Sequence, residues 1–206
     1  MQLFSLFESD IRYWRKRVRE YGKRSVLNIT HTDEEYEAVT QKQKEEIYPF
    51  FKSQLLGTEK TILDFGCGPG RFTSDLAEII QGKAIGVDPI ADLLSYAKKN
   101  FCVEYKIMKE GKIPLDDSSV DIVWCCLVLG GIKKNVLLQT AKEISRVLIE
   151  HGLLFLIENT SEKPNGKHWI FRSSAEYQQY FPSFQLLKLH SYNDVNEQIS
   201  IMAGRR

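Results

Sequence analysis

The sequence is short of several things, and each shortage removes a class of protein. It has no large charge imbalance: 28 Lys and Arg stand against 27 Asp and Glu, a formal net charge of +1. No global field therefore draws it to nucleic acid or anionic lipid. Long apolar runs are missing as well. The longest, 123–129, is far below the roughly 20 residues that a membrane-spanning helix needs, and it reads as a buried strand. Only four cysteines occur, at 67, 102, 125 and 126, and none forms a CxxC pair. The expectation is reduced, buried thiols in a cytoplasmic protein, with no metal site. The first ten residues reach Glu8 and Asp10 before any apolar core builds, with no basic leader, so secretion is not expected. What is present is ordinary globular usage: 206 residues, 43% hydrophobic and 27% charged. That suits one substantial domain, with or without a small appendage.

Up to residue 56 the pattern is helical. Leu3, Leu6, Phe7, Ile11, Trp14 and Val18 recur at spacings of three and four, and predict one amphipathic helix ending near Gly22. Thr32 to Glu35 read as an N-cap with early acids, opening a second helix whose face is Tyr36, Val39, Ile47, Phe50, Phe51 and Leu55, with Pro49 a place to kink. From residue 61 strands and helices alternate. Strands are expected at 61–65, 83–88, 103–108, 120–126 and 152–158, and helices at 71–80, 90–100 and 135–148. Such alternation means parallel β-α-β units with helices on both faces of a sheet. A short helix at 173–180 and two β-type runs, 184–192 and 197–203, follow. They flank Asn193-Asp194, which reads as the turn of a hairpin.

The chemistry concentrates in Ile62-Leu-Asp-Phe-Gly-Cys-Gly-Pro-Gly-Arg-Phe72. Its glycines follow a strand and precede a helix, where a missing Cβ lets backbone turn sharply and approach a ligand. The spacing G-x-G-x-G differs from the G-x-G-x-x-G of dinucleotide enzymes, and no Lys-Ser/Thr pair follows as in a phosphate-binding loop. Asp64 lies within the first strand. Asp88 closes the second, 18 residues beyond Gly70, near the spacing at which a carboxylate receives ribose hydroxyls. Two carboxylates beside a glycine turn suit a cationic ligand that carries a ribose.

These residues resemble motif I of the class I S-adenosylmethionine-dependent methyltransferases, and Gly86-Val-Asp-Pro-Ile90 resembles the acidic strand end that follows it. Ile113-Pro-Leu-Asp-Asp-Ser-Ser-Val-Asp-Ile-Val123 is similar to a signature of the small-molecule and ubiquinone-biosynthesis-like branch, methyltransferase type 11. The resemblance spans about residues 60–160. It implies a Rossmann-like, doubly wound α/β sheet of seven strands, mostly parallel with an antiparallel C-terminal hairpin. Residues 1–56 would form a helical lid and 57–206 the methyltransferase domain.

The resemblance also implies roles. S-adenosylmethionine would be the cofactor and S-adenosylhomocysteine the product. Gly66, Cys67, Gly68 and Gly70 would border the methionine part, with Asp64 orienting its amino group. Asp88 would accept from the ribose, Pro89 and Ile90 would pack on the adenine, and Cys125, Cys126 and Leu127 would pass beside the sulfonium. Two positions depart from the branch. Lys109 stands where an Asp often contacts the adenine amino group, which leaves Glu110, or backbone near Met108, as the substitute. Gly130-Gly131 replaces a frequent His pair and supplies no base.

Methyl transfer to a hydroxyl needs a proton acceptor, whereas a free lone pair needs only orientation. Glu158, His168 and His31 are the candidate catalytic groups. Asn159, Trp169, Arg172, Trp14 and Tyr21 are candidates for binding substrate. Each has a plainer reading: a solvated loop for 158–160, an anchored loop for 168–172, a loop histidine for His31 and core packing for the aromatics. The expected function is methylation of a hydroxyl or nitrogen of a small metabolite, without nucleic acid or membrane as partner. A methyltransferase for RNA or protein, or a non-catalytic module that binds S-adenosylmethionine, are the alternatives.

Overall fold

The computed structural model describes residues 2–206, with side chains from residue 11 onward. Leu3, Leu6 and Phe7 of the predicted first face therefore lie outside the described side chains. The first helix, α1, is Gln2–Tyr21, and α2 is Tyr36–Ser53. The remaining helices are α3 (Thr73–Ile79), α4 (Ala91–Leu94), α5 (Lys134–Val147) and α6 (Ser174–Tyr180). The strands are β1 (Thr61–Phe65), β2 (Lys83–Asp88), β3 (Val103–Ile107), β4 (Val120–Cys126), β5 (Leu148–Asn159), β6 (Leu187–Asp194) and β7 (Glu197–Arg205).

All seven strands form one sheet in the order β3-β2-β1-β4-β5-β7-β6. The first five run parallel; β7 lies antiparallel to both β5 and β6. The expected doubly wound sheet with an antiparallel tail is thus the fold. Chain order runs outward in opposite directions from β1 and β4. A crevice opens at such a switch point, beyond the carboxyl ends of the strands.

Alternate residues of the central strands feed two apolar layers. Leu63, Phe65, Val123, Leu154 and Leu156 face α5 and α6 through Leu137, Ile144 and Tyr177. Ile62, Ile122, Trp124, Phe155 and Ile157 face α2 and α3 through Ile47, Phe51 and Leu76. Trp124 stacks on Phe155 at 5.2 Å, and Phe51 meets its edge at 5.1 Å. Arg146 on α5 pins the segment before β4. It donates to the carbonyls of Ile113 and Leu115 at 2.9 and 2.8 Å while paired with Asp117 and Glu143.

Four local expectations are corrected. Thr32 to Glu35 form a turn, closed by the Thr32 amide donating to Glu35 at 2.7 Å, and α2 begins only at Tyr36. The helix expected at 90–100 stops at Leu94, because Tyr96 and Ala97 donate three residues back rather than four. Cys102 is exposed in the turn before β3, unlike the other thiols, although all four are free. The hairpin turn is Val195-Asn196 rather than Asn193-Asp194, which pair with Gln198 and Glu197 within the ladder. Pro49 is accommodated inside α2, which continues to Ser53.

Among the described residues no helix is long and apolar enough to cross a membrane, and no cluster of residues is suited to hold a metal ion.

Val195 and Asn196 both take left-handed backbone, φ 47° and 59°, as a two-residue hairpin turn demands. A β-branched residue pays a steric cost there. Val195→Gly should raise stability by about 1 kcal/mol, read as a shifted midpoint in urea unfolding.

Candidate active site

The chain leaving β1 turns through Gly66, Gly68 and Gly70, whose φ values are 70°, 53° and 74°. The amides of Gly66 and Cys67 donate to the Val87 carbonyl at 2.8 and 3.1 Å, which ties this turn to the end of β2. Asp64 is 3% exposed and accepts from the Thr73 hydroxyl at 2.6 Å. Asp88 is 6% exposed and accepts from the amides of Gly68 and Ile90 at 3.0 and 2.8 Å. Loss of water pushes the Asp64 carboxyl up to about 7; the Thr73 bond opposes this and the charge on Asp88 adds to it. Burial likewise raises Asp88 to about 6 against its two amide donors. Arg71, which also lines the crevice, is held by Thr40 at 3.1 Å and by Gln43.

The facing wall is built where β4 ends. Leu127 is left-handed, φ 56°, and donates to the Ile157 carbonyl at 2.7 Å. Val128 then lies so close over Gly66 that a Cβ there would meet its methyl at 2.5 Å. The next turn, Leu129–Gly131, is gripped from both sides. Glu158, fully buried at the end of β5, accepts from the amides of Val128, Leu129 and Gly130 at 3.0, 2.7 and 3.2 Å. Arg172 donates to the carbonyls of Leu129 and Ile132 at 2.8 and 2.7 Å. Burial raises the Glu158 carboxyl to about 7 even so. The glycine pair in this turn has a packing reason. A Cβ on Gly130 would strike the Trp169 ring at 2.5 Å, and one on Gly131 would meet Trp14 at 3.2 Å.

Between these walls lies a cavity of about 590 Å³, within the usual range for small ligands. Its carboxylate end holds Asp64, Gly66, Cys67, Asp88, Pro89 and Ile90, and Cys126 and Leu127 border it at the end of β4. Its aromatic end holds Tyr13, Trp14, His168, Trp169 and Phe171, with Tyr13 stacked on His168 at 3.7 Å. Residues 26–29 and the hairpin residues Asp194 and Glu197 also line it. A second recess of about 330 Å³ shares Pro89, Ile90 and Met108 with it and includes Lys109 and Glu110.

Other residues singled out from the sequence stand elsewhere. Gly68 and Gly70 shape the turn without lining the main cavity, and Cys125 is buried in the sheet with its thiol 3.8 Å from Glu158. Tyr21 covers the Arg24 guanidinium at 4.9 Å instead of facing the cavity. Glu158 does not face a substrate, because both of its oxygens are spent on backbone amides of the turn. Arg172 is spent in the same way on carbonyls. His31 lies behind the lining, its Nε2 sharing a hydrogen bond with Asp194 Oδ1 at 3.1 Å. Asn159 lines the cavity and donates to Glu197 at 2.8 Å. Sequence reasoning missed Tyr13, Arg71, Asp194 and Glu197 as lining residues. The one available signal for the last two was the hairpin, and a turn placed two residues early obscured that they flank it.

Residues 62–152 match a family model described as a methyltransferase domain. An uncharacterised methyltransferase-like protein of Schizosaccharomyces pombe is 31% identical over 134 residues, covering 63% of this chain and 50% of that protein. A thiol S-methyltransferase of Rattus norvegicus is 32% identical over 161 residues, 73% of this chain and 63% of its own. The chain thus spans about half the length of the first relative and under two thirds of the second. Among solved structures, the geranyl diphosphate C-methyltransferase of Streptomyces coelicolor, determined with Mg2+, geranyl diphosphate and S-adenosyl-L-homocysteine, shares the fold. Its TM-score is 0.67 at 15% identity, with 97% of each chain covered. Residues 62–152 are thus similar to a methyltransferase domain, and the chain shares the fold of solved S-adenosylmethionine-dependent methyltransferases.

Removing Glu158 strands two buried amides, Leu129 and Gly130, and the part-buried one of Val128, each buried one worth about 1–3 kcal/mol when left unpaired. Glu158→Ala should therefore cost about 3 kcal/mol or more in urea unfolding, and Glu158→Gln, which keeps one acceptor, should cost less. The three buried carboxyls also make stability depend on pH. Asp64, Asp88 and Glu158 titrate near 7, 6 and 7 in the folded chain, against about 4 when unfolded. The folded state thus binds the extra protons. Their contribution is whole below about pH 4 and is lost as the pH rises through about 6 to 7. Thermal midpoints of the unliganded protein should fall between about pH 5 and pH 8, and Asp64→Asn should flatten that fall.

Proposed function

We propose that this chain transfers the methyl group of S-adenosylmethionine to a hydroxyl or nitrogen of a small metabolite, releasing S-adenosylhomocysteine. One observation carries the reading: a single cavity joins two buried, proton-retaining carboxylates and a glycine turn at one end to an aromatic enclosure at the other.

The residues present fit the cofactor. Asp64 and Asp88 are short of a cation, since nothing in their surroundings offsets burial fully. Asp64 would hold the amino group, and Asp88, already oriented by the Gly68 and Ile90 amides, the ribose hydroxyls. Gly66 and Cys67 offer bare backbone beside them, and Arg71 lies where a carboxylate could be received. Pro89, Ile90 and Met108 form an apolar edge for the adenine, with Glu110 in the adjoining recess. When bound, the cofactor supplies an already activated methyl on sulfur, so no covalent enzyme intermediate is required.

The chain's own work is then to hold the nucleophile in line at about 3–3.5 Å and keep water out. Trp14, Trp169 and the Tyr13–His168 stack enclose the acceptor end. Proton acceptors there are His168 and Asp194, the latter backed by His31. Residues 1–56 act as the lid in this reading, because α1 and the segment 26–29 supply one whole wall. The free thiols accord with a cytoplasmic setting.

Calorimetry with S-adenosylmethionine should show binding that tightens from about pH 5.5 to pH 8, as the carboxyls that receive the cation give up their protons. Asp88→Ala should weaken it by about 1–3 kcal/mol. Incubation with labelled methyl and a metabolite extract should then place label in a low-mass product. Label found only in RNA or protein overturns the small acceptor, and no binding at millimolar cofactor overturns the whole proposal.

A further inference from the structure

The cavity leaves one part of the molecule unexplained, the far edge of the sheet. β3 is an outer strand, paired on one side with β2 and, among the described residues, with no named strand on the other. The Ala84 amide donates to Cys102, and the Met108 amide donates to Asp88. Even-numbered residues of β3 therefore direct their backbone groups toward β2. Val103, Tyr105 and Ile107 direct theirs outward. The Val103 amide is already used, donating to Asn100 at 3.3 Å, whereas Tyr105 and Ile107 have no such backbone partner. An unpaired edge of this kind is a template for another strand unless charge or covering segments blunt it.

The charges on this edge select a partner instead of repelling all of them. Glu104 and Lys106 project from the same face and lie 3.6 Å apart. Suppose that two copies of the strand meet antiparallel about a two-fold axis at Tyr105. Glu104 of each copy then stands opposite Lys106 of the other, and Val103 opposite Ile107. Tyr105 faces itself, the outward backbone position that can exchange a pair of hydrogen bonds. A two-fold axis at Ile107 would set Glu104 against Glu110, so charge separates the two registers. Apolar exposure points the same way. Phe101 is fully exposed beside one end of the strand, and Ile107 is 44% exposed at the other. In the Tyr105 register they become diagonal neighbours across the interface, within reach of an aromatic ring.

We propose that the outer edge of β3 is a self-association surface, through which two copies of this chain pair β3 to β3, antiparallel about Tyr105. The result is one continuous sheet across two subunits, with a closed, two-fold interface. A five-residue edge with two apolar anchors is smaller than a standard interface, so association is reversible and concentration-dependent. None of these residues except Ile107, which borders the smaller recess, touches either cavity. Assembly is thus separable from cofactor binding.

Sedimentation of the full chain over rising concentration tests this. The wild type should move from monomer to dimer. Glu104→Lys and Lys106→Glu place like charges opposite one another at two symmetric positions, and each should raise the dissociation constant roughly three- to thirty-fold. The double variant Glu104→Lys/Lys106→Glu restores opposite charges and should return it toward the wild-type value. Phe101→Ser should weaken the dimer as well. Unchanged thermal unfolding and cofactor affinity would establish that the variants are folded. A wild type that stays monomeric, single variants that associate like the wild type, or a double variant that stays as weak as either single one would each overturn the proposal.

Discussion

Glu158 surrenders all contact with water to accept from three successive amides, and the shape of the cavity depends on that exchange. A carboxylate in an apolar interior is costly unless its lone pairs are filled. Here they are filled by backbone amides of the turn after β4. Arg172 completes the arrangement by taking carbonyls of the same stretch. The turn is therefore held from both sides, and it carries two glycines. Those glycines admit Trp14 and Trp169 against bare backbone. A histidine pair in the same place would bring a base and lose the tryptophan wall.

The opposite wall follows another logic. Asp64 and Asp88 sit in the sheet with fewer donors than their buried state calls for, and they hold protons to pH values at which exposed carboxyls are ionised. Glu158 satisfies itself within the fold, whereas these two look outward into the cavity. Glu158 has both oxygens on amides of the turn, whereas Asp64 and Asp88 line the cavity. The hairpin belongs to the same economy of charge. Asp194 and Glu197 flank its two-residue turn and hold His31, Gln43, Asn28 and Asn159, so the last strands and the N-terminal segment close over the cavity together.

Much of the sheet was legible because strand periodicity and glycine punctuation are local. β4 begins and ends at the expected residues, and β1 and β2 do as well. The misplacements arose where a neighbour decides. Asn193-Asp194 is the stronger turn dipeptide on propensity, yet pairing with β7 draws both residues into the ladder and leaves Val195 in a conformation it resists. The helix after β2 stops early once its amides reach three residues back. The Gly130-Gly131 pair was visible as the absence of a base, and its positive role was not, since the rings it accommodates come from residues 14 and 169.

Alone, the sequence determined the fold class, the glycine turn with its two acids, and the resemblance to the S-adenosylmethionine-dependent methyltransferases. Those depend on the order and spacing of residues within about thirty positions of one another. Only the tertiary structure decided which polar groups are spent and which are available. Glu158 and Arg172, read from sequence as groups facing a substrate, are consumed by backbone, while Asp194, Glu197 and Tyr13 reach the cavity from the two ends of the chain. The physical reason is that a side chain's chemistry is set by its burial and its partners, and partners tens to hundreds of residues away leave no periodic trace in a single sequence.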